Sequence, residues 1–187
     1  MSNLRKIIVA ENVFLIENFL TGSECDNFIR QSEVKGYEFA TVETEQGSKR
    51  IEHVRNNQRL LLNDKELAQK LWERAMEFIP KRIGNSSAIA LNELFRFYKY
   101  EKGEQFKKHI DGSFIRSDTE ASYYTFMIYL NDEYKGGETT FEDCCIDSKK
   151  GMLIIFLHSL PHSGSPVTKG IKYVLRTDIM YRLEIEQ

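Results

Sequence analysis

The sequence predicts an α+β fold: a jelly roll (double-stranded β-helix) with N-terminal helices packed on one of its sheets. Three observations predict it. Amphipathic helical stretches fall before Pro80. After Pro80 the apolar pattern switches to a period of two. The strand-like segments that follow are short and separated by glycine turns. Helices set ahead of an antiparallel group of strands, instead of alternating with them, point to two packed sheets with helices covering one.

The elements follow in order. Residues 6–10, KIIVA, and 13–16, VFLI, are rich in β-branched residues and read as short strands. LTGSECDNFIRQSEVKG then supplies a helix, with Thr21 or Ser23 as cap, Phe28 and Ile29 on its apolar face and Gly36 as its stop. A second helix is expected over 63–80, where Leu67, Leu71, Trp72, Ala75 and Phe78 recur at helical spacing between Asp64 and Pro80. From 92 the chain alternates, with Phe95 and Phe97 on one face and Arg96, Tyr98 and Tyr100 on the other. Further strands are expected at SYYTFMIYLND, ETTFED, GMLIIFL and GIKYVLRTDIMYRLEI.

The 187 residues, 41% of them hydrophobic, suit one domain over 1–187. It divides into a helical support over roughly 1–85 and a jelly-roll core over roughly 90–183. The net charge of −2 is spread evenly, which argues against a nucleic-acid or membrane-surface partner. No apolar run is long enough to cross a membrane. The opening stretch MSNLRKIIVAENVF lacks the features of a secretion signal. Three cysteines, two of them adjacent, make a poor disulfide framework, so the expected setting is cytoplasmic with reduced thiols.

The chemistry starts at KKHIDG, residues 107–112. Side chains two apart on an extended segment share a face, so His109 and Asp111 can offer an imidazole nitrogen and a carboxylate oxygen to one metal ion. Such a pair also recurs by chance on polar surface strands. A third ligand must come from elsewhere, and His158 and His162 stand at either end of HSLPH. Two histidines and one carboxylate on one face of a metal leave the opposite face open, the arrangement of non-haem Fe(II) oxygenases.

Three blocks around these residues resemble the prolyl-4-hydroxylase-like 2-oxoglutarate/Fe(II) dioxygenases. They are YEKGEQFKKHIDG, YLNDEYKGGETTF and KKGMLIIFLHSLPHSGSPVTKGIKYVLRTDIMY, in that order, so the resemblance covers roughly residues 92–182. It implies that His109, Asp111 and His162 are the iron ligands and that His158 is structural. Lys172, ten residues after His162, would pair the distal carboxylate of 2-oxoglutarate, because a buried carboxylate needs a cation. Tyr129 would add a hydroxyl donor there, and Tyr100 matches a pocket tyrosine. Arg176 shares a strand face with Lys172 and competes for the cosubstrate, unless Asp178 neutralises it.

By the same resemblance the cofactors are Fe(II) and 2-oxoglutarate, with ascorbate as reductant, and dioxygen is consumed. Decarboxylation to succinate accompanies hydroxylation of an amino-acid side chain, a prolyl residue of a protein or peptide being the first candidate. Free amino acids and small molecules stay open, since the candidate lids around 40–58 and 112–121 carry no legible code. Two other readings compete: a cupin-type metalloenzyme that does not use 2-oxoglutarate, and an inactive β-fold binding module. RNNQR, at 55–59, is either a grip for a peptide backbone or a solvated loop. His53 is expected to be exposed, and Cys144 and Cys145 to be ordinary sheet or loop residues.

Overall fold

The computed structural model describes residues 4–44, 47–49 and 54–184; His53 and part of the 40–58 segment lie outside them. Two sheets face each other, and both helices cover the outside of the larger one. In the larger sheet eight strands lie side by side in the order Arg5–Ala10, Val13–Glu17, Leu153–Leu157, Glu120–Tyr129, Lys172–Leu183, Leu94–Tyr100, Gln58–Asn63 and Glu38–Phe39. The smaller sheet runs Phe106–His109, His162–Gly164, Thr139–Phe141, Cys145–Ile146. Strands adjacent in space are mostly distant in sequence, as a jelly roll requires.

Period-two patterning builds both cores. Phe95 and Phe97 point outward to the helices, where Cys25, Ala68, Leu71 and Ala75 complete one buried cluster. Tyr98 and Tyr100, on the opposite face of the same strand, join Ile154, Phe156, Val174 and the smaller sheet's Phe141 in a second cluster between the sheets. The fold class is therefore the expected one. The 1–85 stretch is more than a helical support, however: Val13–Glu17 pairs with Leu153–Leu157, and Gln58–Asn63 pairs with Leu94–Tyr100.

Helix α1 spans Gly22–Lys35. Thr21 caps it with a reciprocal box: its side chain accepts from the Glu24 N–H, and the Glu24 carboxylate accepts from the Thr21 N–H. Helix α2 spans Lys65–Ala75 with Asp64 as cap, five residues short of Pro80. The apolar period continues to Phe78, but the last turn tightens: the Phe78 N–H reaches back three residues to the Ala75 carbonyl. The residue before a proline also resists helical geometry, which separates the end of the pattern from the end of the helix. None of the described helices is long and apolar enough to cross a membrane.

Candidate active site

The space between the sheets is polar at one end. His109 closes the Phe106–His109 strand and is the direct register partner of His162 on the neighbouring antiparallel strand. Asp111 lies just beyond that strand, fixed by its N–H donating to the His158 carbonyl at 3.0 Å. One potential ligand atom from each of His109, Asp111 and His162 falls within 4.8 Å of the others. The extended-segment argument thus puts His109 and Asp111 on one face, and the strand pairing brings in the third residue.

The two rings are oriented by the backbone. The Nδ1 of His109 lies 2.7 Å from the Lys107 carbonyl, and the Nδ1 of His162 lies 2.9 Å from the Leu160 carbonyl. A carbonyl only accepts, so each Nδ1 is the donor there and each Nε2 is the nitrogen turned inward. Those Nε2 atoms lie 3.7 Å and 3.8 Å from Asp111 oxygens. Burial pushes the His162 imidazole down to about 4, against the pull of Asp111, so it stays neutral at ordinary pH. Two imidazole nitrogens and one carboxylate oxygen, each held from behind, are the donor set a divalent iron would take.

Asp111 is kept ionised. Burial works to raise its pKa, but Arg176, His109, His162 and Thr125 outweigh it and hold the carboxyl far below the usual range. Arg176 Nη2 lies 3.1 Å from its Oδ2, and Thr125 donates to the same oxygen at 2.5 Å. Arg176 also contacts Asp178 at 3.0 Å, and Asp178 in turn pairs with Arg96 at 3.0 Å. His158 stands beside Asp178, with its Nε2 3.6 Å away, outside the three-residue cluster.

Lys172 has different surroundings. It is 4% exposed and donates to the Gly137 carbonyl at 2.6 Å. The rings of Tyr129, Tyr100 and Tyr134 surround its Nζ at 5.4, 5.6 and 5.9 Å. No carboxylate among the described residues pairs with it, and burial draws its pKa down to about 8 while Glu138 pulls the other way. Lys172, Tyr100, Val174, Arg176 and Thr139 line the same narrow cavity as the three clustered residues. Tyr129, fully buried, donates its hydroxyl to Thr139 Oγ1 at 2.8 Å and so stands one hydrogen bond behind the wall.

Several contributors were not foreseen. Thr125 and Thr139 carried no signal beyond being strand residues. RNNQR is not a solvated loop: Arg55 is 5% exposed and Asn57 is fully buried. Phe106 stacks on His109 with centroids 3.5 Å apart, and its ring also carries the Arg55 guanidinium, 4.4 Å from its centroid. Cys144 and Cys145 are free thiols in a loop and a short strand, as expected.

Residues 95–177 match the model of the 2OG-Fe(II) oxygenase superfamily. The chain is 28% identical to probable prolyl 4-hydroxylase 7 of Arabidopsis thaliana, covering 86% of this chain and 60% of that protein. It is 31% identical to a PKHD-type hydroxylase of Parvibaculum lavamentivorans, covering 63% and 57% respectively. The chain therefore spans roughly three-fifths of these two relatives. Among solved structures, the viral collagen prolyl hydroxylase of Paramecium bursaria Chlorella virus-1, in complex with 2-oxoglutarate, aligns with a TM-score of 0.66 at 23% identity, over 91% of this chain and 96% of that one. A prolyl hydroxylase of Trichoplax adhaerens, bound to a hypoxia-inducible-factor peptide fragment, aligns at 0.70 with 18% identity, over 90% and 83%. At these identities the structures speak for the fold. The family match and the curated relatives add the sequence: over residues 95–177 the chain is similar to the 2OG-Fe(II) oxygenase superfamily, and its curated relatives include prolyl 4-hydroxylases.

Proposed function

We propose that this protein is a 2-oxoglutarate- and Fe(II)-dependent dioxygenase that hydroxylates an amino-acid side chain, with a prolyl residue of a protein or peptide as first candidate. One observation carries the reading. A cluster of two inward-facing imidazoles and a carboxylate shares its cavity with a buried lysine that has no carboxylate partner among the described residues. A cupin-type metal site would not need that lysine, and an inactive module would have no reason to keep both.

Iron with 2-oxoglutarate and dioxygen would supply the oxidising power: one oxygen atom would enter the substrate C–H bond, and the other would leave in succinate as carbon dioxide is lost. The residues do the rest. His109 Nε2, His162 Nε2 and Asp111 Oδ1 would hold the ion, because Asp111 Oδ2 is already occupied by Arg176 and Thr125. Lys172 pairs the distal carboxylate of the cosubstrate, replacing water with a fixed charge. Tyr100 lies along the wall, and Tyr129 supports that end of the slot through Thr139. Arg176, committed to two carboxylates, acts as a positioning residue for Asp111. Ascorbate would serve as the reductant that keeps the iron ferrous.

Anaerobic titration of Fe(II) and then 2-oxoglutarate into the purified protein tests this, read by the visible charge-transfer absorption of a chelated iron–keto-acid pair. The expected result is a band that is absent in His109→Ala and needs more cosubstrate in Lys172→Ala. No band at saturating concentrations would reject the oxygenase reading.

A further inference from the structure

Next to the narrow slot lies a wider outer cavity of about 550 Å³, and among the described residues its charge is unbalanced. It shares His109, Asp111 and Arg176 with the inner site, and it adds Arg55, Arg59 and Arg96. Two of these four guanidiniums are matched: Arg96 pairs with Asp178 and Arg176 with Asp111. Among the described residues no carboxylate pairs with Arg55 or Arg59. Arg59 donates from Nη2 to Thr41 Oγ1 at 3.1 Å, and Arg55 donates from Nε to Asn57 Oδ1 at 2.7 Å, both neutral acceptors.

Arg55 is the more telling of the two. Its guanidinium is sandwiched between the rings of Tyr98 and Phe106, 4.3 and 4.4 Å from their centroids, so its plane is fixed before any ligand arrives. Among the described residues its buried Nη2 has no hydrogen-bond partner. A buried charged donor left unmet is costly, and the group that meets it is expected to be anionic. Ferrous iron and dianionic 2-oxoglutarate cancel in formal charge, so loading the inner site leaves the surplus of two positive charges among the described residues in place. The rim is apolar: Ile110 and Phe114 line the same cavity and are 60% and 36% exposed.

We propose that the outer cavity selects a substrate bearing a carboxylate near the carbon to be hydroxylated, and that Arg55 and Arg59 bind that carboxylate while Ile110 and Phe114 pack on the apolar part. The inference rests on the hydroxylase reading for what lies at the cavity floor. The carboxylate comes either from an acidic side chain beside the target residue in a peptide or from the free α-carboxylate of a terminal residue.

The test uses the intact protein loaded anaerobically with Fe(II) and 2-oxoglutarate, with fluorescence polarisation of labelled short proline peptides as the readout. One pair compares Asp-Pro-Asp, capped at both ends, with capped Asn-Pro-Asn. A second pair compares the free-acid and amide forms of a peptide ending in proline. The expected result is about tenfold or greater preference for the charged member of one pair. The preference should weaken in high salt and shrink in Arg59→Gln, with Arg59→Lys retaining part of it. Preference in the first pair identifies a side-chain carboxylate; preference in the second identifies an α-carboxylate. Equal affinity within both pairs, or no binding by any peptide, overturns the proposal. The charge-transfer band is recorded in the same samples. A band without carboxylate preference overturns this inference alone, whereas a missing band rejects the hydroxylase reading whatever the peptides do.

Discussion

Arg176 and Asp111 share one oxygen: Arg176 Nη2 lies 3.1 Å from Asp111 Oδ2, which leaves Oδ1 to face His109. The pairing turns a carboxylate with two equivalent oxygens into a ligand with one free end. Because the same nitrogen also lies 3.0 Å from Asp178 Oδ1, Arg176 cannot follow a ligand without breaking a second buried ion pair.

Replacing Arg176 with Met should therefore weaken Fe(II) binding about 10- to 100-fold. Arg176→Lys should recover part of the loss, because an ammonium restores the charge beside Asp111 without the fixed plane of the guanidinium. Calorimetric titration with Fe(II) under anaerobic conditions reads this directly. Unchanged metal affinity in Arg176→Met would remove the residue from any positioning role.

Lys172→Ala should raise the 2-oxoglutarate dissociation constant at least tenfold, while Fe(II) binding stays near wild type. The pH dependence follows from its pKa near 8. Above that value the free protein increasingly carries neutral lysine, so cosubstrate affinity should fall as pH rises from 8 to 9.5. Stability of the unliganded protein should move the other way. Between about 8 and the ordinary 10.5 the unfolded chain binds the extra proton, so unfolding becomes harder as pH rises. Cosubstrate titrations and melting curves across this window check both signs.

Tyr129→Phe and Thr139→Val separate support from contact. Both remove the Tyr129–Thr139 hydrogen bond, and each should cost about 1 kcal/mol of stability. Only Thr139 lines the slot, so Thr139→Val should weaken 2-oxoglutarate binding more than Tyr129→Phe does. The opposite order would mean that the tyrosine hydroxyl turns to the ligand on binding.

Gly151 has φ +80°, and a Cβ there would lie 2.2 Å from the Leu20 carbonyl oxygen. The contact is backbone to backbone, held from the other side by the Gly151 N–H donating to Tyr129. Gly151→Ala should cost about 2–4 kcal/mol and lower the thermal midpoint by several degrees. A melting curve that superimposes on wild type would contradict the tight approach.

What the sequence reveals here depends on how local the cause is. His109 and Asp111 could be paired by eye because strand alternation acts over two residues, and Lys172, Val174 and Arg176 could be put on one face for the same reason. Thr21 was legible as a cap because its partner Glu24 is three residues away. Arg55 was not: the rings that bury it belong to Tyr98 and Phe106, more than forty positions further on, and a polar run gives no hint of stacking. The contest between Lys172 and Arg176 was equally closed to inspection, since it turns on which cation has already met a carboxylate. The early strands were read as strands, but their place in the large sheet was not, because Val13–Glu17 finds its neighbour at the far end of the chain.

The direct opposition of His109 and His162 gives an ion at this site a second task, as a clasp on the smaller sheet. Those two strands are short and come from distant parts of the chain. If the pairing slipped by one residue, His109 would face Pro161 or Ser163 and the coordinating set would come apart. Metal uptake would thus audit assembly: only a molecule that has joined these strands in the right phase could be loaded, and loading would then favour that phase over its neighbours.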